Sequence, residues 1–169
     1  MFYILTIIMK YIFGLGLPRT GTNSLSEALF TMGINGECKC ILNNYHKKRE
    51  EFYDNETQRY IVYNDAYKHL DILLNSDKIH DNKYILTIRD DHTWKHSLKK
   101  FNVEELYSFD MEKYKKDIFE IFEKNNCIEN LLILNIFENS DDILWKKLSN
   151  FLGLECPTKT FPIINLNTV

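Results

Sequence analysis

The fold of this chain is decided by residues 11–25, which read YIFGLGLPRTGTNSL. The segment begins with an apolar run, residues 11–15, of the kind that forms a strand buried on both faces. A helical pattern follows, because Leu25, Leu29 and Met32 recur at intervals of four and three residues, and Gly33 is well placed to end that helix. The segment therefore predicts a strand, a loop of small residues and a helix in immediate succession.

The loop carries groups that suit an anion. Gly16 and Gly21 let backbone N–H groups approach a ligand closely, and the N-terminus of the following helix adds positive potential. Three hydroxyl side chains and one permanent cation are also present: Thr20, Thr22, Ser24 and Arg19. A plain strand-to-helix turn is the alternative, but these residues in this context favour a phosphate-binding loop.

A nucleotide-kinase loop is disfavoured on chemical grounds. The Walker pattern ends in Gly-Lys-Ser/Thr, whereas this loop has Gly21-Thr22-Asn23 at that place. The lysine that reaches the terminal phosphate and the hydroxyl that holds Mg²⁺ are therefore both displaced. A P-loop kinase remains the less favoured alternative.

Strands and helices alternate along the rest of the chain. Further apolar runs occupy residues 60–63, 84–88 and 131–136, with a short candidate at 34–41, and helical patterns occupy residues 66–76, 111–125 and 141–152. The last helix has Ser140 as a plausible N-cap and Gly153 as a stop. We predict an α/β fold, a three-layer P-loop-type domain whose mostly parallel sheet of about 4–5 strands has helices on both faces. No boundary is evident, so residues 1–169 are predicted to form a single domain.

Composition and charge exclude several classes of protein. The chain is 44% hydrophobic with a net charge of −3, a balance typical of a globular protein and not of a disordered one. A general nucleic-acid binder carries a basic surplus, so no nucleic-acid partner is expected. The first nine residues are almost wholly apolar, but they lack the features of a signal peptide and are too short to cross a membrane. The four cysteines match no zinc-finger spacing and fit reduced thiols. We therefore predict a cytoplasmic protein with no membrane partner.

Two blocks of the sequence resemble the P-loop sulfotransferase family. Residues 16–25, GLPRTGTNSL, resemble its 5′-phosphosulfate loop, in the branch with Pro-Arg-Thr-Gly-Thr. Residues 85–98, ILTIRDDHTWKHSL, resemble its 3′-phosphate site, which pairs an Arg at a strand end with a Ser eight residues on, here Arg89 and Ser97. A third, weaker block, residues 131–162, resembles the late strand, late helix and Phe-Pro tail of that branch.

The resemblance implies that 3′-phosphoadenosine 5′-phosphosulfate (PAPS) is the donor, that an acceptor hydroxyl or amine receives the sulfuryl group, and that no metal is needed. Arg19 would stabilise charge on the transferring group, and Arg89 with Ser97 would hold the 3′-phosphate. The residues implied in binding the 5′-phosphosulfate end follow one another in the loop: Pro18, Arg19, Thr20, Gly21, Thr22, Asn23 and Ser24. The acceptor and the oligomeric state are left open.

A general base is expected at the carboxyl end of another strand. Asp65 directly follows the second predicted strand and stands where the resembling branch often has Asp. The favoured alternative is that Asp65 caps the helix beginning at Ala66, because Asp is a preferred N-cap. A chain without a working base would be a catalytically inactive relative that binds the nucleotide as an interaction module, and this alternative stays open.

The second block has two further features with competing interpretations. Trp94 is able to stack on adenine or to pack its helix onto the sheet, and packing is favoured. His92 and His96 have the i, i+4 spacing that suits a metal, but no third ligand is evident, so no metal site is predicted.

Overall fold

Five parallel strands form the centre of the computed structural model, which describes residues 10–34, 39–40, 60–64, 70 and 79–164. The strands are β1 (Lys10–Gly14), β2 (Lys39–Cys40), β3 (Tyr60–Asn64), β4 (Lys83–Ile88) and β5 (Leu131–Asn135). Their order in the sheet is β2-β3-β1-β4-β5, and every neighbouring pair runs parallel. The predicted parallel α/β sheet is confirmed, although the candidate strand at residues 34–41 is seen only at β2.

Four α-helices are described: α1 (Thr22–Thr31), α2 (Asp91–Lys100), α3 (Met111–Lys124) and α4 (Asp141–Leu152). Asp90 and Asp110 cap α2 and α3, each accepting a hydrogen bond of 2.9 Å from a backbone N–H in the first turn. Ser140 and Gly153 flank α4 as predicted, with Gly153 in the left-handed conformation. The helix predicted over residues 66–76 lies outside the described residues apart from Leu70.

The core lies on both faces of the sheet because successive side chains of a strand point to opposite faces. Phe13 and Tyr84 face one side, where they pack with residues of α3 such as Phe122. Ile12 and Ile85 face the other side, in one cluster with residues of α1 and α4. The predicted three layers are therefore confirmed for the described part of the chain.

The chain order places a crevice at the carboxyl ends of β1 and β4. From β1 the chain passes to β2 and β3 on one side of the sheet, and afterwards to β4 and β5 on the other. The connections that follow β1 and β4 therefore lead to opposite sides and leave a crevice between them. Ligands of open α/β sheets bind in such a crevice. The predicted anion loop and the predicted 3′-phosphate block both start at this point, the first after β1 and the second after β4.

Candidate functional site

The loop between β1 and α1 is packed tightly against neighbouring segments. A Cβ on Gly16 would lie 1.8 Å from Oγ1 of Thr87 on β4. Gly21 has a φ of 99° and caps α1, and a Cβ there would meet Ile136 at 2.9 Å. Glycine is required at both positions, by close approach at the first and by both close approach and backbone conformation at the second.

The N-terminus of α1 presents unsatisfied donors. Its N-cap residue, Gly21, has no side chain, so the first turn has no side-chain cap. The first N–H groups of a helix lack intrahelical acceptors, and the helix dipole gives this end a partial positive charge. Thr22 and Asn23, the first two residues of α1, line the cleft described below. An anion placed there would meet backbone N–H groups.

Arg19 lies on a phenyl ring at the edge of the loop. Its guanidinium carbon is 3.5 Å from the centroid of the Phe101 ring, and its Nε donates a hydrogen bond of 3.2 Å to Oγ of Ser97. The backbone of Arg19 is left-handed, with a φ of 71°. Partial burial lowers the pKa of its guanidinium, which nevertheless remains a cation because arginine titrates far above neutral pH.

Arg89 is held in a similar way at the end of β4. Its guanidinium carbon is 4.3 Å from the centroid of the Phe137 ring, and its Nε donates 3.3 Å to Oγ1 of Thr93. Burial lowers the pKa of Arg89, the positive charge of Arg19 lowers it further, and Asp90 opposes both effects. Two cations at close range gain stability from an anion that both can contact.

The two carboxylates that follow Arg89 are directed to other partners. Asp90 caps α2 through the N–H of Thr93, and Asp91 forms an ion pair of 2.8 Å with Lys95. Neither Asp90 nor Asp91 lines the cleft. Asp90 still acts on Arg89 through its charge, which raises the pKa of that guanidinium, but no carboxylate of the described residues lines the cleft itself.

These groups meet in a small cleft that is open to solvent. Loop, strand end and chain terminus all contribute to its lining, which consists of Arg19, Gly21, Thr22, Asn23, Arg89, Phe137 and Ile164. The lining combines two cations and the polar start of α1 with two apolar side chains, Phe137 and Ile164. This arrangement suits an anion attached to a larger, less polar group.

Two of the predicted hydroxyl ligands point into the protein. The Thr20 hydroxyl donates 2.6 Å to the Leu17 carbonyl and therefore accepts the 2.7 Å hydrogen bond that joins it to Thr87. Ser24 is fully buried and accepts a hydrogen bond of 2.9 Å from the Ile164 N–H. These hydroxyls fasten the loop and the C-terminal segment, so Thr22 is the one predicted hydroxyl ligand that lines the cleft.

The predicted 3′-phosphate pair, Arg89 and Ser97, converges on Arg19. Ser97 accepts from the side chain of Arg19, and Arg89 donates to the backbone oxygen of Arg19. The side chain beside Arg89 is Thr93, which sequence analysis did not consider. Asp65, the candidate base, lies outside the described residues. The binding roles of all these residues stay predictions.

Trp94 is a packing residue, as the favoured interpretation had it. It is fully buried in a cluster with Leu17 and Leu98, and its indole N–H donates 2.8 Å to the Pro18 carbonyl. Stacking of Trp94 on adenine is therefore wrong for this structure, because neither ring face is accessible. Pro18 contributes this carbonyl to the packing of the loop.

Besides Thr93, three residues that shape the site were not predicted from the sequence. Phe101 supports Arg19, Phe137 supports Arg89, and Ile164 lines the cleft. Phe137 follows the carboxyl end of β5, where ligand-binding residues are expected, so its position was a usable signal. Phe101 directly follows the last residue of α2 and lies four residues after Ser97, a spacing that brings side chains together at a helix surface. Ile164 carried no signal, because only the folded tail brings it to the loop.

A family model for the sulfotransferase domain matches residues 11–124, about two thirds of the chain. The chain belongs to the sulfotransferase domain family. No curated protein matches the sequence. The matched region contains the loop, Arg89, Ser97 and Phe101, whereas β5, Phe137, α4 and Ile164 follow it. Family membership indicates sulfuryl transfer as the class of chemistry, which requires a sulfate donor.

Two further findings concern metals and membranes. The part of the chain that the structure describes contains no group of three or more His, Cys, Asp or Glu side chains arranged to hold a metal ion. His92 and His96 are both exposed on α2 and join no such group. Among the same residues, no helix combines the length and the hydrophobicity needed to span a bilayer.

Proposed function

We propose that this sulfotransferase domain binds PAPS in the cleft and transfers its sulfuryl group to a hydroxyl or amine acceptor. The observation that carries the proposal is the meeting of Arg19, Arg89 and the uncapped N-terminus of α1 in one cleft without a carboxylate in its lining. Three positively polarised groups around one space favour a ligand with more than one anionic group. PAPS has its phosphosulfate at one end of the ribose and a phosphate on the 3′-oxygen.

The donor would lie with its phosphosulfate against the start of α1. Backbone N–H groups of Thr22 and Asn23 would bind the 5′-phosphate oxygens, and Arg19 would lie next to the sulfuryl group. Arg89 would bind the 3′-phosphate through its guanidinium fork. Ser97, which accepts from Arg19 and does not line the cleft, would hold Arg19 in place beside the ligand.

The transfer itself needs positioning and charge stabilisation. An acceptor oxygen or nitrogen attacks the sulfur, the bond from sulfur to the bridging phosphate oxygen breaks, and the proton of the acceptor passes to a base. 3′-Phosphoadenosine 5′-phosphate (PAP) leaves with the added negative charge, which Arg19 stabilises as it develops. Asp65 is the proposed base.

The same binding residues would serve an inactive nucleotide-binding relative. The two functions differ only in turnover, because binding of the donor depends on the loop and on Arg89 in both. A P-loop kinase differs in ligand, since it would prefer ATP with Mg²⁺. The proposal is therefore tested first by binding and then by turnover.

The deciding experiment is calorimetric titration of the purified protein with PAP, compared with ATP and Mg²⁺. We expect PAP to bind more tightly, and Lys99→Ala, which removes an exposed cation of α2, to leave this preference unchanged. Preference for ATP with Mg²⁺ would overturn the proposal. PAPS would then be supplied with a panel of hydroxyl and amine acceptors, and PAP release measured. Binding of PAP without release from PAPS would assign the inactive alternative.

A further inference from the structure

Four carbonyl groups of the loop after β1 are each held by a donor. The Tyr114 hydroxyl donates 2.7 Å to Leu15 O, and the Thr20 hydroxyl donates 2.6 Å to Leu17 O. The Trp94 indole donates 2.8 Å to Pro18 O, and Arg89 Nη1 donates 3.4 Å to Arg19 O. Thr20 belongs to the loop, whereas the other three donors come from α3, α2 and the end of β4.

The direction of these carbonyls matters for an anion site. A carbonyl oxygen carries partial negative charge, so a loop that turns one into the cleft repels an anion there. In a planar trans peptide, the C=O and the next N–H point in opposite directions. A donor that holds Pro18 O therefore also fixes the direction of the Arg19 N–H, and a donor that holds Leu15 O fixes that of the Gly16 N–H.

The conformation of Arg19 shows the result of this restraint. Its φ of 71° is unusual for a residue with a side chain, and such a conformation persists when the surroundings hold it. The peptide before Arg19 is held from outside the loop by Trp94. The peptide after it is held both by Arg89 and within the loop, where the Thr20 N–H donates 3.2 Å to Leu17 O.

We infer that Trp94 and Tyr114 are positioning residues of the anion loop, although neither lines the cleft. Trp94 is fully buried and Tyr114 partly buried, and each reaches the loop from a helix more than 70 residues away in the chain. They keep loop carbonyls turned from the ligand and the Arg19 backbone in its left-handed form. The inference rests on the proposed function of the loop as an anion site.

The test uses Tyr114→Phe, which removes one hydroxyl and keeps the ring, with Trp94→Phe as a second variant. Tyr107→Phe is the matched control, because Tyr107 lies on the surface between α2 and α3. Amide hydrogen exchange of residues 16–24 is measured in the ligand-free protein, and PAP affinity by calorimetry. Because one neutral hydrogen bond is lost, we expect the exchange rates of the loop amides and the Kd for PAP each to rise roughly three- to tenfold. The exchange rates of the β4 and β5 amides should stay unchanged.

The inference is overturned if the loop amides of Tyr114→Phe exchange as slowly as those of the parent protein. A uniform rise in amide exchange across the sheet would also overturn it, because such a rise indicates a purely structural role. An unchanged PAP Kd in Tyr114→Phe would overturn it too where the parent protein binds PAP. If the parent protein does not bind PAP, the proposed function fails, and the exchange measurement alone decides the role of Tyr114. Should Trp94→Phe not fold, Tyr114→Phe decides the question.

Discussion

Nη1 of Arg89 donates a hydrogen bond to the backbone oxygen of Arg19 at 3.4 Å. This contact joins the end of β4 to the loop after β1, so the two predicted phosphate sites are physically connected. Arg89 therefore has two functions in the proposal, one as a ligand and one as a support of the loop. Substitution of Arg89 is therefore expected to weaken the binding of both ends of the nucleotide, but by different amounts.

Arg89→Ala is expected to weaken PAP binding by roughly 2.5–4 kcal/mol, because it removes a hydrogen bond to a charged phosphate, usually about 1.5–3 kcal/mol, together with the loop contact. Binding of adenosine 5′-phosphate, which lacks the 3′-phosphate, is expected to weaken by only about 1 kcal/mol, because that loss comes from the loop contact alone. Calorimetry with both nucleotides measures the difference. Equal losses for the two ligands would contradict the assignment of Arg89 to the 3′-phosphate.

Arg19→Ala is expected to lower kcat for sulfuryl transfer about 100-fold or more, because it removes the charge that stabilises the leaving oxygen. Arg19→Lys keeps the charge but loses the planar group that lies on Phe101, so we expect a smaller loss. The rate of PAP release from PAPS measures both. A kcat of Arg19→Ala within threefold of the Lys99→Ala control would remove Arg19 from the mechanism.

Gly16→Ala is expected to lower the free energy of unfolding by about 1–3 kcal/mol or more, because the new Cβ would meet Thr87 Oγ1 at 1.8 Å. Urea unfolding of this variant, of Thr87→Ala and of the double variant forms a thermodynamic cycle. We expect only partial recovery in the double variant, since Thr20 Oγ1 would still lie at 2.8 Å and the Cβ of residue 87 at 3.1 Å. Strictly additive losses would show that the two residues do not clash.

Asp90→Asn is expected to make the free energy of unfolding fall less steeply as the pH is lowered. The Thr93 N–H bound to the carboxylate lowers the pKa of Asp90 below its ordinary 3.8. The folded protein then binds fewer protons than the unfolded chain. The stability contributed by ionised Asp90 is therefore fully present above pH 3.8 and is lost as the pH falls through the lowered pKa of the folded state. Asn also caps helices but does not titrate.

The measurement for Asp90 is the urea midpoint as a function of pH on the acid side of neutrality. Glu105→Gln is the control, because it neutralises an exposed carboxylate in the connection between α2 and α3. The acid slope of Asp90→Asn is expected to be shallower than that of the control. Identical slopes for the two variants would refute the role of the capping hydrogen bond in acid stability.

Ser24→Ala is expected to loosen the C-terminal segment. The variant removes the acceptor of the Ile164 N–H, which costs about 1 kcal/mol of local stability, and amides near residue 164 should exchange faster. Ser26→Ala is the control, since its hydroxyl bonds to Thr22 O within α1. Exchange near residue 164 that is equally fast in both variants would show that Ser24 does not hold the segment.

Much of the fold was predictable because its signals are local. The apolar runs that became β1, β4 and β5 and the pattern that became α4 follow from burial periodicity, which each segment carries in itself. The glycines of the loop likewise indicated a backbone that other residues do not easily adopt. The direction of the loop hydroxyls was not predictable, because Thr20 and Thr22 have the same chemistry and only the packing against Thr87 turns the first inward.

Local sequence patterns were sufficient to predict the strand–loop–helix unit and the parallel α/β architecture, and they led to the proposal of an anion site at the carboxyl ends of the strands. These features depend on backbone preferences and on hydrophobic burial, which act over short stretches of chain. Which groups face the cleft depends instead on packing between distant segments: Arg19 lies over Phe101, Arg89 lies over Phe137, and Ile164 lies beside the loop. Each of these contacts joins residues far apart in the chain, so its geometry exists only after the layers have packed.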